Sequence, residues 1–372
     1  MERLSRFYPD PVLFFAVFLL FLIGLLNIIS VRIVPSVLDG FDPMSLRRPV
    51  LFLLAFAVGS LLMSFIAFAL NYRKLNNQKL IYGAVAVSVL LLIAVLVKKA
   101  LLGKPIDRWL IGSSVQPSEF SKIVLILFIA YYVSRKGYIT RFRFLGWAVS
   151  VVLIHSILLM LQPDKGMALF VLALSWTLLW IGGVSPKVYA PVGVLFMVTG
   201  FLILTFGGEY IHRRFSAWRD PFEDSFGSGY QVIQSLIAFM QGGFLGQGYG
   251  KGFQKLGPLT QADTDYALAT VGEELGFPGV LFVMLLYVVV VWRLIKIARE
   301  VPDTFGRVVV VGVTLNVAFS VLVNILMTVN LLPPKGIPLP FVSYGLSNLT
   351  ANLIGLGLVG AVYRRQIELR SL

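Results

Sequence analysis

PVLFFAVFLLFLIGLLNIISVRIV, residues 11–34, decides the class of fold. No charge appears in it before Arg32, and a helix of about 20 apolar residues is long enough to cross a hydrocarbon core of ~30 Å. The run follows MERLSRFYPD, a basic start like that of a signal peptide. It continues without an A-x-A-like cleavage site before the next apolar run, so it reads as a retained first helix. Similar runs recur along the chain, which is 58% hydrophobic and 13% charged. That composition excludes a soluble domain. The runs are continuous rather than alternating, so they are helices and not barrel strands. Ten spans are expected, near 11–34, 48–70, 79–98, 118–134, 144–162, 167–184, 188–207, 276–292, 307–332 and 341–363. The chain is therefore expected to be an all-α polytopic membrane protein: 1–207 carries seven spans, 208–275 is one long outer loop between helices 7 and 8, and 276–372 carries three spans and a short tail.

Basic residues near span ends stay on the cytoplasmic side. With the N-terminus inside, that side holds Arg3, Arg6, the loops 71–79, 135–143, 185–187 and 293–307, and the tail from Arg364. Seventeen of the 32 Lys and Arg residues fall there with five acidic residues, so this face carries +12 of the net +14. The high charge is a topology signal and argues against nucleic-acid binding. Both termini are expected inside. Cysteine is absent, and the only histidines are His155 and His212. With no H-E-x-x-H and no G-x-S-x-G, zinc proteolysis and elbow-type serine hydrolysis are disfavoured; an oxygen-ligated divalent cation near the aspartates stays open.

Charges in or beside a span are costly, so each is a site hypothesis. KKALLGKPIDRWLIGSSVQPSEFSK (98–122) places cations, Arg108 among them, on the outer side against the positive-inside tendency. Its Pro117 suits a helix start, and Glu119 and Lys122 are then neighbours on one face of the fourth span. Two readings stand: a structural ion pair, or Lys122 facing a polar cavity and an anionic substrate with Glu119 holding it. QPDKG (162–166) brings Asp164 and Lys165 to the outer mouth, as a site or as a plain turn. In the long loop, YQVIQSLIAFMQGGFLG (230–246) is too short and polar to span and reads as an interfacial or re-entrant helix, with Val232, Ile233, Leu236, Ile237 and Met240 on its apolar face. The following GGFLGQGYGKG matches no phosphate-binding fingerprint and licenses only flexibility or a close approach. DTDYALATVGEELGFPG (263–279) brings Asp263, Asp265, Glu273 and Glu274 near the eighth span. The two glutamates read as helix-end carboxylates, whereas Asp265 stands at the membrane boundary, where partial desolvation suits a general base. Last, LLPPKGIPLPFVSYGLSNLTANLIG (331–355) sets Lys335 in a proline-stiffened outer loop before Ser343, Tyr344, Ser347 and Asn348, which read as packing and capping groups.

Taken in order, RW (108–109) with QPSEFSK (116–122), QPDKG, DPFEDSFGSGYQVIQSLIAF (220–239), TDYALATVGEELG (264–276) and PKGIPLPFVSYG (334–345) resemble the SEDS family of shape, elongation, division and sporulation proteins, which includes RodA and FtsW. The stretches QKLGPLTQADTD and PPKG look closer to the FtsW branch, whereas GIPLPFVSYG is also RodA-like. The chain departs from the family pattern at Leu346, where SYGG is usual, at Asn348, where Ser is common, and at Tyr266, where Phe is frequent. The resemblance implies a peptidoglycan glycosyltransferase that polymerises lipid II on the outer face of the bacterial cytoplasmic membrane. It implies that Asp265 matches the essential loop aspartate, as base or as ligand of a divalent cation such as Mg or Mn, with no organic cofactor. Glu119, Lys122 and Asp164 match polar residues of the family's fourth span and fifth-span exit. Lys122, Arg108 or a metal could neutralise the lipid diphosphate that leaves, and Lys335 joins them as a further outward cation among the substrate-binding candidates. The implied partners are a class B penicillin-binding protein and other division or elongation proteins. Two rival readings use the same bundle without chemistry: a lipid II flippase, which would place its site near the midplane, and a non-catalytic scaffold.

Overall fold

The computed structural model describes residues 9–38, 40, 42–103, 108–110, 115–135, 142–205 and 209–370. Arg3, Arg6, Lys136 and Arg141 of the orientation argument lie outside them, as do parts of the 98–122 loop. The helices are α1 (Pro11–Leu38), α2 (Arg47–Ala69), α3 (Gln78–Leu101), α4 (Pro117–Ser134), α5 (Phe142–Leu161), α6 (Lys165–Ile181), α7 (Pro186–Thr205), α8 (Glu209–Arg219), α9 (Tyr230–Gly242), α10 (Ala267–Glu300), α11 (Thr304–Thr328) and α12 (Leu346–Arg370). The ten expected spans fall on α1–α7 and α10–α12. Seven of these are long and apolar enough to cross a membrane on their own, while α5, α6 and α7 carry shorter apolar stretches.

Which helices sit in the middle follows from their polarity. α4 and α12 are the most enclosed, and their mean hydropathy is 1.3 and 1.4, against 3.0 and 2.9 for α1 and α3. A helix surrounded by protein can carry Ser, Asn, Glu and Lys, whereas one facing lipid cannot. α12 packs on α2, α11 on α10 and α4, and α1 on α10. At one end of the bundle Arg293 bonds Asp10 at 3.0 Å, Tyr72 donates to Asp303, and Arg364 reaches the Phe68 carbonyl. The opposite end gathers the loops before α4, between α5 and α6, from α8 to α10, and before α12.

α10 begins at Ala267, inside the stretch expected as loop. It is broken at Gly276, where φ is 63°, with Pro278 just beyond. A proline ring and a left-handed residue together interrupt the ladder of helical hydrogen bonds. The carbonyls stranded by the break accept amides from the glycine-rich segment, Gln247 N–H to Glu273 O and Gly248 N–H to Glu274 O, both at 2.9 Å. The close approach expected of these glycines is therefore to the backbone of α10 rather than to a ligand. Glu273 and Glu274 are buried inside the broken helix rather than exposed at its end. Glu273 accepts the amides of Phe253 (2.6 Å) and Gln254 (3.0 Å). Glu274 pairs with buried Lys255 and accepts from Ser30 of α1.

The orientation of α9 departs from expectation. Its inward face is Val232, Ser235, Ala238 and Gly242, while Met240 is exposed. Small residues win this face because they let α9 lie directly on α10, and Ser235 Oγ donates to Thr328 O at 2.8 Å. A Cβ on Gly242 would stand 2.0 Å from Gly272 O. Gly242→Ala is thus expected to cost about 1–3 kcal/mol through overpacking, read as a lower unfolding midpoint in detergent. An unchanged midpoint would mean that α9 is free to lift from α10.

Candidate functional site

A cavity of about 510 Å³ opens at the polar end of the bundle, its wall including Arg48, Arg108, Arg214, Asp265, Tyr344 and Asn348. Asp265 ends the long loop one residue before the N-cap of α10. Its backbone carbonyl accepts from Asn324 Nδ2 at 2.9 Å, and the same amide group donates to Ile337 O at 2.9 Å. A single α11 side chain thereby holds the aspartate loop and the proline-rich loop together. The carboxylate packs against Gly336, where a Cβ would come within 3.3 Å of Asp265 Oδ2 and 3.7 Å of an Arg108 guanidinium nitrogen. Desolvation pushes the Asp265 carboxyl up to about 6; Arg214 and then Arg108 pull the other way, while Asp164 and Asp263 add to the rise. A carboxylate with such a value is ionised at neutral pH yet basic enough to accept a proton.

The neighbouring Asp263 has a different task. It is buried and clamped by Arg32 of α1 at 2.9 Å and Arg48 of α2 at 2.7 Å, while its carbonyl accepts the Tyr344 amide at 2.7 Å. Ser343 Oγ donates to Thr264 O. The loop before α12 therefore splints the aspartate from the other side. Ser343 thus joins two loops, where a packing or capping role was expected of it.

Asp164 caps α6, accepting the Met167 amide at 3.4 Å. It receives Gln116 Nε2 at 3.3 Å and lies 3.6 Å from Arg108. Burial raises its carboxyl, with Arg108 the main opposing charge. A narrower pocket of about 50 Å³ adjoins the cavity, and its wall includes Arg108, Asp164, Lys165, Arg214, Lys335 and Gly336. Burial, and next to it Arg214, hold the Lys335 ammonium below the usual lysine range. Arg108, Asp164, Asp265 and Lys335 are thus brought around two adjoining spaces.

Glu119 and Lys122 are not on either wall. They form a buried pair at 2.8 Å with Lys122 also 5.1 Å from the centre of the Phe170 ring. Of the two readings left open, this geometry favours the structural pair. The link to the cavity is Asn348, whose Nδ2 donates to Glu119 Oε2 at 2.8 Å. The departure from Ser at this position therefore supplies the amide that joins the pair to the cavity floor.

Sequence reasoning missed Arg214, Arg48 and Asn324. Arg214 projects from α8 within IHRRFSAWR, a cluster of cations on the outer side, the same cue that singled out 98–122. Asp265 is the carboxylate that would hold the expected divalent cation. Among the described residues no three His, Asp or Glu side chains gather into a metal-holding group, and the strongest charges acting on Asp265 are two guanidiniums.

The fold and this site define a ten-helix membrane protein with a cationic cavity at one end and a carboxylate set in its wall. The chain belongs to the FtsW/RodA/SpoVE family, whose model, described as cell cycle protein, matches residues 11–367. It is 35% identical to a probable peptidoglycan glycosyltransferase FtsW of Trichlorobacter lovleyi over 96% of this chain and 93% of that one. It is 37% identical to stage V sporulation protein E of Bacillus subtilis over 68% of this chain and 69% of that protein. Among solved structures, a chain from a study of how a peptidoglycan synthase complex coordinates polymerisation and crosslinking superposes with a TM-score of 0.76 at 29% identity, covering 96% of this chain and 98% of that one. The rod-shape-determining protein RodA of Thermus thermophilus gives 0.66 at 28% identity, covering 96% and 97%.

Proposed function

We propose that the chain is a peptidoglycan glycosyltransferase that polymerises lipid II at the outer face of the bacterial cytoplasmic membrane. The observation that carries this reading is Asp265, a carboxylate raised to about 6 at the wall of a cationic cavity. In the reaction, the acceptor sugar hydroxyl gives its proton to Asp265 as its oxygen attacks the anomeric carbon of the donor. The bond from that carbon to the lipid diphosphate breaks, and the electron pair leaves on the diphosphate. Arg108 and Arg214 meet that developing charge, and fixed cations in a partly dry site do so without reorganising. The base and the cations line one cavity, so a bound acceptor and donor can meet both. Glu119 and Lys122 act through Asn348 as positioning residues.

In this reading the polar end faces outward, the end holding Arg293, Arg364 and Arg365 is cytoplasmic by the positive-inside tendency, and both termini lie inside. The working partners are a class B penicillin-binding protein, which crosslinks the new strand, and other division or elongation proteins. The test is reconstitution of the purified protein with lipid II, alone and with its cognate transpeptidase. Glycan polymer supports the reading; lipid movement across vesicles without polymer, from folded and partner-bound protein, contradicts it in favour of a flippase.

A further inference from the structure

At the opposite end of the bundle from Asp265, the end that carries Arg293 and Arg364, a groove of about 550 Å³ opens between α10, α11 and the last residue of α6, Ile181. α11 supplies Arg307, Val311, Thr314 and Ala318, which share one face of the helix by their spacing, and α10 supplies Ile295, Ala298 and Arg299. Small buried residues, Ala298 and Thr314, form its floor. The Thr314 hydroxyl donates to Val310 O at 2.8 Å and so is satisfied within its own helix. Beyond the two arginines the walls are therefore apolar, and among the described residues no acidic side chain lines them. Arg307 is fixed at one end by its own backbone, Nε donating to Val301 O at 3.0 Å and Nη2 to Pro302 O at 3.4 Å. Arg299, exposed on the last turn of α10, makes no ion pair among the described residues.

We infer that this groove holds an acyl chain of an anionic phospholipid from the cytoplasmic leaflet, with the phosphate at the mouth against Arg299 and Arg307. Three observations carry this, and none involves the glycosyltransferase reading beyond the orientation given with it. The first is length: from Arg307 to Ala318 the groove follows α11 for ~16 Å at 1.5 Å per residue, about the depth of one leaflet of a ~30 Å hydrocarbon core. The second is charge. Both cations stand at the cytoplasmic mouth, where a lipid headgroup lies, and basic pockets between spans on that side suit anionic headgroups. The third is width. A space of about 550 Å³ spread over that length is roughly 6–7 Å across, narrower than the 10–12 Å of a helix with its side chains. A flexible hydrocarbon chain fits such a space, whereas a helix from a partner would rest on its rim and leave the floor uncovered.

The experiment is native mass spectrometry of the full chain, stripped of lipid in detergent and titrated with dioleoyl phosphatidylglycerol. Wild type is expected to retain one such lipid, to bind dioleoyl phosphatidylcholine about tenfold more weakly, and to keep the lipid when glycerol phosphate, the headgroup without its chains, is added. Arg299→Gln should weaken binding about fivefold, the worth of one cation near a headgroup, and Arg299→Lys should restore it. Ala318→Phe, which fills the groove with a ring, should weaken binding about tenfold or more. The unfolding midpoint without lipid shows whether each variant is folded, and added phosphatidylglycerol should raise it in wild type and in Arg299→Lys. The assignment is overturned if the two lipids bind alike, if glycerol phosphate displaces the lipid, or if Arg299→Gln binds like wild type. It is equally overturned if folded Ala318→Phe keeps its lipid but no longer holds the transpeptidase, which would give the groove to the partner's helix. Binding is read without turnover, so a chain that makes no polymer but retains the lipid would sink the proposed function and leave the groove assignment standing.

Discussion

Asp265→Asn is expected to lower polymer formation by about 10²–10⁴-fold, the range for losing a positioned general base, while making the protein more stable. The two effects share one cause. The carboxyl titrates near 6 in the folded chain, above the ~3.9 of an unfolded aspartate. The folded state therefore holds its proton more tightly, and ionising the group costs folding energy. This penalty is absent below about pH 4, grows as pH rises to about 6 and is complete above that. A shift of about two units would amount to roughly 3 kcal/mol; the opening to the cavity screens part of it, leaving about 1–2 kcal/mol. Asparagine removes the penalty, so the unfolding midpoint should rise at pH 7.5 and change little at pH 4. A variant that is inactive because it is damaged would melt earlier at both.

Breaking the pair of Glu119 and Lys122 is expected to have the largest effect on stability. Each is about 1% exposed, so Lys122→Met or Glu119→Gln leaves its partner as a buried, uncompensated charge. That costs about 3–5 kcal/mol. The double variant Glu119→Gln/Lys122→Met removes both charges and keeps an acceptor for Asn348, so it should recover most of the stability. It should also recover activity, because the pair acts by holding Asn348 at the cavity floor. A double variant that is stable but inactive would show that Lys122 meets substrate charge directly. Denaturant unfolding and polymer yield, measured on the same preparations, separate these results.

The ten spans were legible because lipid imposes a simple rule: about 20 apolar residues in a row, with cations gathered on one side. Where the chain leaves lipid the rule lapses. The break at Gly276 was hidden because DYALATVGEELG is too polar for a span, although the folded chain shields it with α9 and the glycine-rich loop. The inward face of α9 was misplaced for a related reason: inside a membrane, close packing selects Ser235, Ala238 and Gly242 over larger apolar side chains. Arg108 and Lys335 were visible as cations on the side where the positive-inside tendency disfavours them, and Asp164 and Asp265 as charges beside a span. The separate tasks of Asp263 and Asp265 were not visible. Two residues apart in one loop, they differ only because Arg32 and Arg48, more than 200 residues away in sequence, reach the first and not the second.

The most direct test of Asp265 as the base is the initial rate of polymer formation from lipid II between pH 5 and 8, with the partner bound and the fold checked at each pH. The rate is expected to rise through about pH 6 and level above it, as the carboxyl becomes free to accept the acceptor's proton. The small residual rate of Asp265→Asn should lack this limb. A wild-type rate that is flat across the range, or an unchanged limb in the variant, would contradict the assignment.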